Sequence, residues 1–180
     1  MKKYHQMNNG LKANEAIVEN VAEYEEKINW LKLRWDGTRD SEESRLMCPI
    51  VHYKPASIYQ AVIANNLSYI EKNYDKTKVN SNALLAIACL CGSDKAGKFL
   101  MDKLGIDYLT PGYEYMLGYV SASHNNEWVK SIAHVLAQDG KEMPAGIFGM
   151  SRDLSKVEMV EKIFKQKYPT FTPGKDTKQI

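Results

Sequence analysis

Between Asn14 and Trp35 the apolar positions Ile17, Val21, Tyr24, Ile28, Leu31 and Trp35 recur at steps of four, three, four, three and four. That spacing puts all six on one stripe of an α-helix. Glu15, Glu19 and Glu23 fill the first half of the segment and Lys27, Lys32 and Arg34 the second, the polarity that complements a helix dipole. The pattern predicts a long amphipathic N-terminal helix whose stripe must be covered. Two covers are available: the rest of the chain, with the helix docked on as an arm, or the same stripe of a second copy, which would make a homodimer.

DGTRDSEES at 36–44 interrupts the pattern, and LMCPIVHYKP follows with prolines at 49 and 55, which oppose a regular helix. An exposed turn and then an extended crossing are expected there. From Ser57, a plausible cap, Tyr59, Ile63, Leu67, Ile70 and Tyr74 recur at helical spacing, predicting one helix over 57–74. NSNALLAIACLCGSDKAGKFLMDKLG reads as a hairpin of two helices, 82–91 and 94–104, with Gly92 stopping the first and Ser93 capping the second. The first of the pair is apolar on every side, as a helix at the centre of a bundle is. Shorter helices are predicted over 111–122, with Pro111 in its first turn, and over 126–138, ending before Gly140. In the last helix Ser155 and Glu158 match a capping box and Leu154 and Met159 a hydrophobic staple. Pro169 closes it.

The elements add up to an all-α fold, a compact bundle of six or seven helices with a mobile C-terminal tail. The expected division is a flexible N-terminus over 1–12, the helical arm over 13–36, a linker over 37–56, a helical body over 57–168 and the tail over 169–180. Composition agrees with a folded body: 180 residues, 44% hydrophobic and 26% charged, are near globular averages. No apolar run reaches the length of a membrane span, and MKKYHQMNNG lacks the apolar stretch of a leader, so a cytoplasmic protein without membrane contact is expected. Three cysteines, Cys48, Cys89 and Cys91, fit a reducing compartment. Lysine outnumbers arginine 20 to 4 and asparagine occurs 12 times, the bias of AT-rich coding DNA in a low-GC bacterium or its phage. A net charge of +2 gives no sign of a polyanion partner.

Most chemistry is excluded by spacing. Cys89 and Cys91 point about 200° apart around a helix, and His124 and His134 have no cysteine or HExxH partner, so no metal is expected. On the helix from Asn126, His134 falls on the side away from Trp128, Val129, Ile132 and Leu136, the wet side. No GxSxG, P-loop or strand-borne GxGxxG occurs, and no cofactor is expected. Aligned as a helix-turn-helix, the 82–104 hairpin puts Lys98 where the motif needs a buried residue and Leu84, Leu85, Cys89 and Leu90 where it needs solvent. Lys95, Lys98 and Lys103 still make a modest basic edge, which keeps a DNA-binding regulator as an alternative.

The remaining candidate is LTPGYEYMLGYVSASHNNEW at 109–128. On its helix Tyr113, Leu117 and Val120 share a docking face, while Tyr115 and Tyr119 form a second stripe four residues apart. Residues 110–150 carry only Lys130 and Lys141 against Glu114, Glu127, Asp139 and Glu142, too little positive charge for a platform that stacks nucleic-acid bases. Tyrosine with little charge suits the centre of a protein interface. The sequence therefore points to a small interaction protein, an adaptor or inhibitor acting by occlusion. Tyr115 and Tyr119 would be the contact, with Glu114 and His124 at the rim. A small enzyme with a Tyr/His/Glu pocket near 113–124 is the other alternative.

Overall fold

The computed structural model describes residues 13–35, 41–52, 57–144 and 153–166. The flexible N-terminus expected over 1–12 and the mobile tail over 169–180 lie outside them. Among the described residues there are nine helices and no strand: α1 Val21–Arg34, α2 Glu42–His52, α3 Ser57–Ile63, α4 Leu67–Asn73, α5 Ser81–Cys91, α6 Asp94–Leu104, α7 Tyr115–Ser121, α8 Asn126–Gln138 and α9 Leu154–Lys165. The all-α class stands; the expected count of six or seven is too low. The chain divides into two compact units, one of Met1–Ala88 with Ser93–Leu100 and the other of Cys89–Gly92 with Met101–Ile180.

In the first unit the N-terminal helix is shorter than its stripe. Asn20 accepts from the Glu23 amide at 3.0 Å and so starts α1 at Val21. Upstream of the cap, Ile17 and Val18 donate to the Asn14 carbonyl in a separate turn. Gln60 Oε1 accepts from the Asn14 amide, and Asn66 Nδ2 donates to the Ile17 carbonyl. The stripe itself is real: Ile17, Tyr24, Ile28, Leu31 and Trp35 are buried within a single chain and Val21 is half-buried. Helix α1 packs on α2 and α3. Within one chain most of the stripe is thus already buried.

The extended crossing is a helix instead. Pro49 lies inside α2, where its missing N–H forfeits one backbone bond. That loss is outweighed by burial of Met47, Cys48 and Val51 and by a shared anchor. One turn apart on α2, Cys48 Sγ at 3.4 Å and His52 Nε2 at 2.6 Å both meet the Trp35 carbonyl, while Trp35 Nε1 donates to Glu43 at 3.0 Å. The helical spacing of four puts both side chains on one face, within reach of the same oxygen.

The single helix expected over 57–74 is two. Asn65 adopts a left-handed conformation, φ 58°, one of the few residue types that does so readily. Asn66 then caps α4 by accepting from the Tyr69 amide. Freed from the helix, Asn65 accepts from the Ala96 amide and donates to Asp94, both at 3.0 Å. It does the capping expected of Ser93, whose hydroxyl donates to the Ile63 carbonyl instead.

In the second unit α7 packs on α8 and α8 on α9. Helix α7 begins four residues later than predicted because 107–114 is a string of local turns. Asp107 accepts from the Leu109 amide, Gly112 has φ 93°, and Glu114 Oε1 accepts from the Gly112 amide at 2.9 Å. Helix α9 also starts on a different residue. Asp153 accepts from the amides of Ser155 and Lys156 and from the Ser155 hydroxyl, so Ser155 sits in the first turn and there is no capping box at Ser155. Leu154, expected to be half of a staple, is 71% exposed. Hydrogen bonds from Ser155 and Lys156 hold the Asp153 carboxyl below the usual aspartate range.

Candidate functional site

Helix α7 carries the tyrosines because its seven residues divide between two environments. Met116, Leu117, Gly118, Val120 and Ser121 are buried. Tyr115 and Tyr119, one turn apart, are half-buried, as is Tyr113 just before the helix. Their rings are contiguous, with Tyr115 and Tyr119 centroids 4.8 Å apart at 59° and Tyr113 and Tyr115 6.1 Å apart at 38°. Such tilted pairs are mutually stabilising by about 0.5–1.5 kcal/mol beyond the area they bury. The three rings thus hold one another.

The residues expected at the rim flank the helix in sequence. Glu114 and His124 are exposed. Glu114 stands at the N-cap position of α7 but makes no side-chain cap bond to it, its carboxylate turning back to Gly112 instead. His124 belongs to the loop between α7 and α8, which is fixed from below. Ser121 and Ser123 bond back to the carbonyls of Gly118 and Val120, both at 2.6 Å. Asn125 caps α8 through the Trp128 amide and donates to the Gly92 carbonyl at 2.8 Å. Gly92 is required there: its φ is 70°, and a Cβ would lie 2.8 Å from Ser123 Oγ. From α9, Lys156 donates its ammonium to the Ser123 carbonyl. Lys156 is 7% exposed, and burial depresses its pKa while Asp153 partly restores it. The tyrosine helix and its loop are therefore a braced surface.

The other candidates are placed as follows. Lys95, Lys98 and Lys103 are exposed on α6, but Leu84, Leu85, Cys89 and Leu90, which a helix-turn-helix would turn to solvent, are fully buried. His134 is half-buried on α8, apart from the buried Trp128, Val129, Ile132 and Leu136. Burial, and secondarily Cys91, push the Cys89 thiol far above its ordinary range, which suppresses the thiolate needed of a nucleophile. Among the described residues no group of three or more His, Cys, Asp and Glu side chains could hold a metal ion. None of the described helices is long and apolar enough to cross a membrane.

One concavity escaped the sequence. A cleft of about 700 Å³ in the first unit is lined by Glu15, Glu19, Glu23, Tyr24, Lys27 and Lys95 among others, and by none of Tyr113, Glu114, Tyr115 or His124. Lys27 answers Glu23 at 3.1 Å and donates to the Ile63 carbonyl at 3.4 Å. Its walls follow from the breaks at Asn20 and Asn65–Asn66, whose only sequence signal is the preference of asparagine for caps and left-handed turns. No family model matches the chain, and neither does any curated protein or solved structure.

Proposed function

We propose that the protein is a small interaction protein, an adaptor or inhibitor, that binds another protein through Tyr115 and Tyr119 with Glu114 and His124 at the rim, and acts by occlusion without chemistry. The observation that carries this is the contiguous, half-buried cluster of Tyr113, Tyr115 and Tyr119 on and just before a helix whose other side is buried. Tyrosine offers large contact area, few rotatable bonds and a hydroxyl for the rim, which is why it is enriched at interface hot spots. The serine and asparagine bonds beneath the loop lower the ordering cost of association. Three buried cysteines outside any disulfide and the lysine and asparagine bias favour the cytoplasm of a low-GC bacterium or of its phage-infected host as the setting.

The test is capture and reconstitution. A protein retained from native host extract, identified by mass spectrometry and purified, should bind wild-type chain, and Tyr115→Ala and Tyr119→Ala should each weaken it by about 1–4 kcal/mol. Equal affinity in both variants would remove the tyrosine helix from the interface. Binding that instead needed Lys95, Lys98 and Lys103, with duplex DNA as the ligand, would restore the regulator reading.

A further inference from the structure

We infer that the surface recognised by this cluster is cationic: a peptide segment or loop presenting arginine or lysine. This rests on the partner-binding reading above and gives it a chemistry. Residues 104–129 contain Asp107, Glu114 and Glu127 and no lysine or arginine, in a chain whose net charge is +2. Two nearby cations already have acceptors. Lys130 pairs with Glu127 at 3.3 Å, and the Lys156 ammonium is buried on the Ser123 carbonyl.

Three kinds of partner surface can be weighed against this. A phosphate-rich partner meets carboxylates and no cation among the rings, the reverse of what such ligands require. An apolar partner would bury the Glu114 carboxylate without a countercharge, and an unpaired buried charge is costly. A guanidinium or ammonium supplies the compensation twice. It pairs with Glu114, which is exposed and not consumed as a helix cap, and it is attracted to the negative ring faces of Tyr113, Tyr115 and Tyr119. Arginine is the better fit, because its planar guanidinium can stack on a ring and still donate to a carboxylate in the plane.

The experiment uses the full chain, ¹⁵N-labelled, titrated with a capped dodecapeptide of alternating arginine and glycine and, separately, with its lysine and glutamate counterparts. Amide shifts should saturate at low millimolar peptide or below and be confined to 107–125, with the arginine peptide the tightest and the glutamate peptide silent. Glu114→Gln should weaken the arginine peptide about fivefold, and so should raising salt to about 0.5 M, which screens exposed charges. Tyr115→Leu should weaken it at least about tenfold, as loss of a ring contact to a cation predicts. Glu114→Gln keeps the test intact even if a tyrosine variant folds poorly. Absent shifts, shifts centred on Glu15, Glu19 and Glu23, or preference for the glutamate peptide would overturn the inference. If the peptide fails but a captured partner still depends on Tyr115, the cationic chemistry falls and the interaction surface survives. If neither depends on Tyr115, both fall.

Discussion

Helices α5 and α7 each carry more apolar side chain than one helix face needs, and they resolve the excess in opposite ways. After Ser81 and Asn82 in its first turn, helix α5 is leucine, isoleucine, alanine and cysteine, with no polar atom on those side chains beyond the two thiols. From Ala83 to Cys91 all of its residues except Ala86 are buried. Helix α7 puts its excess into tyrosine, and those rings stop at half burial. A tyrosine hydroxyl sunk in a core needs a partner, whereas at a surface water satisfies it. The contrast teaches that apolar content alone does not separate core from interface. The chemistry at the end of the side chain decides.

The comparison breaks first at α5. Leu85→Ala should lose about 2–5 kcal/mol of unfolding free energy in urea denaturation, the range for a fully buried leucine, while Lys98→Ala, exposed on α6, should stay within about 0.5 kcal/mol of wild type. A loss under about 1 kcal/mol at Leu85 would mean that α5 is not core. Next comes the brace under the tyrosine loop: Gly92→Ala combines a left-handed φ with a Cβ 2.8 Å from Ser123 Oγ. It should cost about 2–3 kcal/mol, and a neutral result would show the loop to be free to move. Tyr119→Ala sharpens the contrast directly. Its half-buried ring should cost about 1–2 kcal/mol of stability, well short of a buried aromatic.

The smallest effect is a pH dependence at the start of α9. Asp153 has a depressed pKa, so the folded state binds fewer protons than the unfolded state just below the ordinary aspartate value of 3.8. The capping contribution is therefore fully present above that value and is lost as pH falls through the lower, folded one. Asp153→Asn should flatten the acid limb of a stability–pH curve; an unchanged limb would mean that the carboxylate is not the cap.

How far these features could be read from the sequence depends on where the decisive atoms come from. The buried stripe of α1, the bounds of α5 and α6 and the docking side of α8 were legible because side-chain periodicity and cap residues within one segment determine them. The helix at 42–52 was not: Pro49 argued against it, and its anchor, the Trp35 carbonyl, belongs to the preceding helix terminus. Asn65 and Asn66 split one helical pattern into two because a side chain far along the chain, at Asp94, and a distant amide, at Ala96, reward the break. At the tyrosine helix the burial of Leu117 and Val120 was readable from spacing, but Tyr113, expected on the same face, lies before the helix with its ring against Tyr115, and the degree of ring burial was not readable, since it depends on how much of α7 its neighbours cover. The bracing of its loop by Gly92 and Lys156 joins positions more than thirty residues away and leaves no local pattern.

The most direct test pairs two numbers on one protein: the dissociation constant for the captured partner and the unfolding free energy, both for Tyr115→Ala. A recognition surface predicts that binding falls by at least about tenfold while stability falls by no more than about 2 kcal/mol and the far-ultraviolet circular dichroism is unchanged. A stability loss of about 3 kcal/mol or more, the cost of a core aromatic, with partner affinity unchanged in the fraction that remains folded, would contradict it.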